Sequence, residues 1–445
     1  MTATTSQRRA ADAGRAQPAP PPPSWGIHLQ PAGGLLVERR SLYYVRLSGT
    51  AVELALQLAR TGSIERTARV RAATDRRRPE DVRAELVAGL GGSPVTASWL
   101  DGALGGGVRV SGSTEAYLPL MAILQLTNRC NLSCSFCYAS SGAAMPDELT
   151  ADDWVRVLER LARAGTATVT LTGGEPTIAR DFRRILATAS ALIDSVDVFT
   201  NGLHWSDDLI AMAAACGNVQ AQVSIDGLAA RHDLVRGRPG AYAESLDTIR
   251  RLSGAGVPVF VAMTLTPANV GDLAAVVTEV AAAGARLFRA SRVVTVGRGD
   301  RTGFALTEEQ TAAVLRQFRQ VRGLDIRVLA WDQCSDIGQE LAGAGLPVEF
   351  LTPGYLSWYV RADGEVTPCQ IEEQSFGQIT AAPLEHLGRP DRLADVRARA
   401  RGCRCIRRLN PDTEVDLPFG LAPADARAGG ACACATSGGG GRCGG

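Results

Sequence analysis

Apolar residues recur along this chain in two rhythms, and the change from one to the other divides it. From Ala122 onward, short apolar runs alternate with longer amphipathic stretches: residues 122–126, 167–171, 196–200, 219–225, 259–265 and 287–294 read as strands. Between them, residues 154–164 put Trp154, Leu158 and Leu161 on one helical face, and residues 182–192 also read as helix. Six strands alternating with helices predict parallel βαβ units with right-handed crossovers, an α/β fold. In the fourth strand Val219, Ala221, Val223 and Ile225 alternate with Gln220, Gln222, Ser224 and Asp226. Period two sets Ser224 and Asp226 on one polar face, which in a barrel is the lumen.

Residues 34–92 follow another order. Residues 35–37 and 42–45 predict a short hairpin, and 50–59, 63–71 and 79–90 predict three helices. Pro79 suits a first helical turn, with Glu80 and Asp81 favourable at the N-terminus. Residues 1–25 end in Pro20-Pro21-Pro22-Pro23 and read as a disordered arm, residues 26–101 as a first domain, and the glycine-containing 102–118 as a linker. Residues 119–330 are then a second domain and 331–445 a third, ending in a glycine-rich tail.

A length of 445 residues suits two or three domains. The formal charge of +1 gives no electrostatic reason to expect nucleic acid or a membrane as partner, and no run approaches the roughly 20 apolar residues of a membrane helix. All 47 basic residues are arginine, which reads as a coding bias. Eleven cysteines without a secretory signal point to metal ligation in a reducing compartment, and hence to a cytoplasmic protein.

The chemistry is concentrated at Cys130-x-x-x-Cys134-x-x-Cys137. Three thiolates at this spacing can hold three irons of a [4Fe-4S] cluster, which normally takes four cysteines, so one iron stays open to a substrate or cofactor. A structural zinc site prefers four ligands and a CxxC pair, and fits these residues poorly. The stretch from Thr127 to Tyr138, with Cys-Asn-Leu and with Phe136 before the last cysteine, resembles the signature of the radical S-adenosylmethionine (SAM) superfamily. That resemblance implies a partial (β/α)6 barrel, SAM bound to the open iron, and reductive cleavage of SAM to a 5′-deoxyadenosyl radical. It also implies a reducing partner such as flavodoxin or ferredoxin.

Thr172-Gly173-Gly174-Glu175-Pro176 follows the second strand. Two glycines there permit close backbone approach to a ligand, and the glutamate offers an acceptor for an ammonium group. In the family this element binds the methionyl amine. The resemblance makes Ser224, Asp226 and Arg292 further candidate SAM contacts; Asn201-Gly202 fits either a contact or a plain turn. His232-Asp233-x-x-Arg236-Gly237 resembles the subgroup with a SPASM extension, and Arg236 suits either a carboxylate contact or an ion pair within its loop.

The hairpin followed by three helices resembles the PqqD-like winged helix that binds leader peptides of ribosomally made substrates. The first 110 residues carry 15 arginines against 9 acidic residues. Leader recognition, a structural cap and DNA binding are the open readings. Seven cysteines remain after the barrel: Cys334, Cys369, Cys403, Cys405, Cys432, Cys434 and Cys443. A SPASM extension uses seven to hold two auxiliary iron-sulfur clusters, and Gly364-x4-Cys369 matches its hairpin element. Cys403-x-Cys405 departs from the expected CxxC, so a single cluster on Cys334, Cys369, Cys403 and Cys405, or a zinc knuckle in the tail, stays open. Cys216 reads as a small apolar residue. The resemblance as a whole implies an enzyme that modifies a precursor peptide, by a thioether or carbon–carbon crosslink ahead of epimerisation, with modification of a small molecule or porphyrin side chain as the alternative.

Overall fold

The computed structural model describes residues 25–31, 33–40, 42–47, 49–89, 99–100, 102, 107–300, 303–330 and 353–399. The chain opens with strands β1 (Trp25–Gln30), β2 (Gly33–Glu38) and β3 (Tyr43–Leu47), followed by helices α1 (Gly49–Thr61), α2 (Ile64–Asp75) and α3 (Pro79–Gly89). A fourth strand, β4 (Arg109–Gly112), runs parallel to β1 and completes a sheet of order β3-β2-β1-β4. The hairpin and three helices agree with the apolar pattern; β1 and β4 extend it. Trp25 begins β1 directly after the proline run, and β4 lies within the stretch read as linker. The side chains of β4 are exposed or half-buried, so no apolar period marks it. Gly112 has φ +80, and a Cβ there would lie 2.3 Å from the Leu29 carbonyl oxygen, so a glycine is needed where β4 passes β1.

Both faces of this sheet are covered. Ile27, Leu36 and Leu47 pack with Val52, Leu58, Ile64, Val82 and Leu86 of the helices. On the other face Leu35, Val37 and Tyr44 meet Leu120, Ala167 and Leu356, which lie next to the starts of three strands of the second sheet. Two polar pins reinforce this contact. Arg39, 1% exposed, donates from Nε to Asp194 at 2.7 Å, from Nη1 to the Gly165 carbonyl at 3.0 Å and from Nη2 to the Thr166 carbonyl at 3.3 Å. Burial lowers its pKa, and Asp194 opposes that shift. His28 donates from Nε2 to the Leu118 carbonyl at 3.0 Å, which leaves Nδ1 to accept from Ser111 Oγ at 3.2 Å. Burial holds this imidazole neutral, at a pKa of about 4.

The second sheet alternates with helices: β5 (Met121–Gln125), α4 (Ala151–Ala164), β6 (Thr168–Thr172), α5 (Phe182–Leu192), β7 (Ser195–Thr200), α6 (Asp207–Cys216), β8 (Val219–Ser224), α7 (Ala229–Arg236), α8 (Ala241–Gly254), β9 (Val259–Leu265), α9 (Leu273–Ala282), β10 (Leu287–Arg292) and α10 (Glu308–Gln320). Strands β5 to β10 are the six parallel strands expected. The sheet runs further, in the order β11-β10-β9-β8-β7-β6-β5-β12-β13-β14, with β11 (Arg327–Ala330) parallel to β10 and β12 (Ser357–Val360) parallel to β5. The antiparallel strands β13 (Glu365–Thr367) and β14 (Gly377–Gln378) follow, then α11 (Leu384–Leu387) and α12 (Pro390–Arg399). The C-terminal hairpin is thus continuous with the parallel sheet. Among the described residues no helix is long and apolar enough to cross a membrane.

Alternation sets the two faces of the parallel strands. Ala122, Leu124, Val169, Leu171, Val196, Val198, Ala221 and Val223 enter the core with Trp154, Leu158 and Leu161 of α4. The intervening residues Gln125, Thr170, Asp197, Gln222 and Ser224 therefore share the opposite side of the sheet. Helix α4 is fixed at its start by a capping box between Thr150 and Asp153, worth about 1 kcal/mol. In parallel βα folds chemistry gathers at the C-terminal strand ends, on the loops that follow. Here those ends lie opposite the surface that the first domain covers.

Candidate active site at the strand ends

The loop after β5 carries the three cysteines and is held by several elements. Glu148 accepts from the Asn128 backbone N–H at 2.6 Å, the Met145 N–H at 2.9 Å and the Thr127 hydroxyl at 2.7 Å. The Gly174 N–H donates to the Thr127 carbonyl at 2.8 Å, and the Glu175 N–H to the Arg129 carbonyl at 2.9 Å. A Cβ on Gly173 would lie 2.6 Å from the Thr127 oxygen and one on Gly174 2.2 Å from the Arg129 oxygen. Both glycines are therefore required for the strand-end backbone to run against the cysteine loop.

The Glu175 side chain is fully buried and committed to protein donors. It accepts from the Thr177 N–H at 3.2 Å, the Thr177 hydroxyl at 2.7 Å, the Thr200 hydroxyl at 2.8 Å and the Asn201 N–H at 2.7 Å. Burial raises its pKa while these bonds favour the anion. It joins the ends of β6 and β7. Asn201 forms a turn by accepting from the Leu203 N–H at 2.9 Å and also donates to Asn131 Oδ1 in the cysteine loop at 2.7 Å. The turn reading of Asn201 is thus what the structure shows, with its amide spent on Asn131 of the cysteine loop.

Ser224 ends β8 on the same face as Gln220 and Gln222, opposite the core. Asp226, two residues on, is fully buried: it accepts from the Thr264 N–H at 2.7 Å and is ion-paired with Arg236. His232, also buried, accepts the Asp226 N–H at Nδ1 at 3.1 Å, and burial lowers its pKa to about 4. Arg236 donates from Nη1 to Cys134 Sγ at 3.6 Å, and its guanidinium carbon sits 5.9 Å from the Phe136 ring centre. Burial opposes its charge, but Asp226 and Cys134 together outweigh burial and raise its pKa. On β10, alternation puts Arg292 on the side of Phe288 and Ala290, which are buried in the core, and Arg289 and Ser291 on the opposite side, so Arg292 does not share the face of Ser224 as the sequence suggested.

Residues that motif reasoning overlooked complete the loop. Arg298 donates from its backbone to the Cys137 carbonyl at 2.9 Å, from Nε to the Cys134 carbonyl at 2.8 Å and from Nη1 to the Ser141 carbonyl at 2.8 Å. Its neighbour Gly297, at φ +59, passes so close that a Cβ would lie 2.1 Å from the Tyr138 oxygen. A Gly-Arg-Gly run just past a strand end was the available signal. Tyr138 shares a side-chain hydrogen bond with Tyr359 of β12, and burial pushes its phenol up to about 12. That bond ties β12, which pairs with β13 of the C-terminal hairpin, to the cysteine loop.

Three thiols, the donor set of a cluster, sit in a mostly apolar seat. Leu132, Cys134 and Leu203 form a small buried cluster against which Cys130 and Cys137 pack. Burial pushes the Cys130 thiol up to about 11, a cost that a bound cation removes. Asn131 Nδ2 is buried without a partner among the described residues, a donor facing no protein acceptor. These residues fit a cluster with one open position. Cys369 is the one described member of the later set; Cys334, Cys403, Cys405, Cys432, Cys434 and Cys443 lie outside the described residues. Cys216 ends α6, half-buried against the core.

Residues 124–280 match the family model of the Radical SAM superfamily. The chain is 40% identical over 401 residues to the sporulation killing factor maturation protein SkfB of Bacillus subtilis (strain 168), covering 89% of this chain and 95% of SkfB. It is 28% identical over 284 residues to the antilisterial bacteriocin subtilosin biosynthesis protein AlbA of the same organism, covering 61% of this chain and 60% of AlbA. The crystal structure of Streptococcus suis SuiB bound to precursor peptide SuiA has the same fold, with a TM-score of 0.59 at 13% identity over 83% of this chain and 88% of that one. The chain therefore belongs to the radical SAM superfamily, whose enzymes use a [4Fe-4S] cluster and S-adenosylmethionine.

Proposed function

We propose that this radical SAM enzyme matures a ribosomally made precursor peptide by forming a thioether or carbon–carbon crosslink. The observation that carries the reading is the extent of the likeness to SkfB, a maturation protein, over 95% of that protein's length. When bound, the cluster supplies the electron that cleaves SAM to a 5′-deoxyadenosyl radical. Cys130, Cys134 and Cys137 hold the cluster. The backbone at Gly173 and Gly174, with Ser224, contacts SAM; Glu175, Asn201 and Asp226 hold those contacts in position through their own hydrogen bonds. Cys334, Cys369, Cys403, Cys405, Cys432, Cys434 and Cys443 would hold one or two auxiliary clusters, which would supply an acceptor for the electron left over from crosslinking. The enzyme works in the cytoplasm with flavodoxin or ferredoxin as reductant.

The first domain is the leader-binding module of this reading. Its sheet has helices on one face and the barrel on the other, so the route left for a peptide is strand addition along an edge. β3 is the terminal strand of that sheet. The 95% coverage of SkfB extends the likeness well beyond the cysteine loop.

The test is anaerobic incubation of the full chain with the precursor peptide, with and without its leader, followed by mass spectrometry. A product lighter by two hydrogens, formed only from the leader-bearing peptide, is expected. Equal turnover of the leaderless peptide removes the leader-binding role, and conversion with no change of mass replaces crosslinking by epimerisation.

A further inference from the structure

We propose that Arg236, oriented by Asp226, raises the reduction potential of the cluster by placing a positive charge and an N–H···S hydrogen bond at Cys134. This rests on the reading of Cys130, Cys134 and Cys137 as the cluster ligands. Cluster potentials follow net charge, hydrogen bonds to sulfur and solvent exposure, and all three converge at this residue.

The geometry is that of an oriented pair. Arg236 offers one terminal nitrogen to Asp226 and the other to Cys134 Sγ, 3.6 Å away. The cationic end of the pair thus faces the sulfur and the carboxylate lies behind it. Asp226 is 0% exposed, Cys134 7% and Arg236 9%, so water does little to screen the interaction. Asp226 is itself held by the Thr264 N–H and, through its own N–H, by His232. The Phe136 face limits the guanidinium from a third side. Reduction adds one electron to the cluster, and a fixed cation at a ligand sulfur stabilises the reduced form more than the oxidised one.

A structural explanation alone fits less well. Arg236 Nε is buried with no partner among the described residues, whereas an arginine recruited only for packing is satisfied by oxygen acceptors. The other arginine at the loop, Arg298, gives its side-chain donors to the Cys134 and Ser141 carbonyls, so it braces the backbone where Arg236 meets the ligand atom. Arg236 is accordingly a positioning and tuning residue.

The test is a redox titration followed by electron paramagnetic resonance on reconstituted full-length protein. Arg236→Met is expected to lower the ratio of reduced to oxidised cluster at a fixed potential at least tenfold, equivalent to about 59 mV for a one-electron couple. Arg236→Lys, which keeps the charge, should recover part of that shift. A loaded Arg236→Met protein with an unshifted potential overturns the proposal. Wild-type protein labelled with ¹⁵N only in its arginine guanidinium groups supplies a second measurement, decisive if Arg236→Met takes up no cluster. Pulsed resonance of the reduced cluster should show a weak nitrogen coupling that Arg236→Lys abolishes, and its absence from the wild type overturns the proposal. If the wild type gives no cluster signal at all, the ligand reading itself fails along with the tuning role.

Discussion

Two buried arginines stand at opposite ends of the parallel strands, and their partners separate fold from chemistry. Arg39, at the N-terminal ends, meets only oxygen: Asp194 and two backbone carbonyls. Arg236, at the C-terminal ends, meets one carboxylate and the sulfur of Cys134. Burial wins at Arg39 and lowers its pKa, whereas at Arg236 the Asp226 carboxylate, with the Cys134 sulfur, overcomes burial and raises it. The first arrangement pins a domain. The second charges a site. Burial alone, which both share, identifies neither role.

The sharpest way to separate the two ends is to remove the chemistry at one of them. Replacing Cys130, Cys134 or Cys137 by alanine should abolish cluster loading and SAM cleavage while leaving the chain folded, read by iron content and circular dichroism. At the other end, Arg39→Met should cost about 3 kcal/mol, the low end for breaking a buried pair because the Asp194 side chain is 26% exposed. Urea denaturation measures it, and SAM cleavage should persist. If Arg39→Met instead emptied the cluster with stability intact, the assignment of roles would reverse.

His28 offers a pH test of the same interface. Its folded pKa of about 4 lies below the usual 6.5, so the unfolded chain binds more protons between those values. Its contribution is complete above pH 6.5 and is lost as pH falls toward 4, by up to about 3 kcal/mol. His28→Gln should flatten that part of the denaturation profile; an unchanged slope would show that the imidazole is accessible to protons in the folded state. A smaller effect is expected at the mouth. Gly174→Ala forces a Cβ to within 2.2 Å of the Arg129 oxygen, so the backbone must part there, at a cost of about 2 kcal/mol and with weaker SAM binding measured by calorimetry.

The contrast between the two ends also explains what the sequence could reveal. Strands β5 to β10 were legible because each is buried on its helix side, which writes an apolar period into the chain. β1 and β4 were not: the first directly follows a proline run, and the second has no buried apolar side chain, being specified by its pairing with β1. That β12 continues the parallel sheet beside β5 is likewise a long-range pairing without a local mark. At the site, Cys130, Cys134, Cys137 and the two glycines announce themselves by spacing. Glu148, Thr200 and Arg298 do not, since they act on backbone groups or partners far along the chain, and such contacts leave no pattern in the residues near them. For Glu175 the motif located the residue, but only the structure shows its carboxylate occupied by Thr177, Thr200 and Asn201.

The most direct test of the central claim is one anaerobic reaction of reduced, reconstituted enzyme with SAM and the leader-bearing precursor peptide, followed by liquid chromatography and mass spectrometry of both products. The predicted result is 5′-deoxyadenosine accompanied by a peptide lighter by two hydrogens, both absent from the Cys134→Ala protein. Formation of 5′-deoxyadenosine with the peptide left chemically unaltered would contradict peptide maturation, and its formation by Cys134→Ala would contradict the site itself.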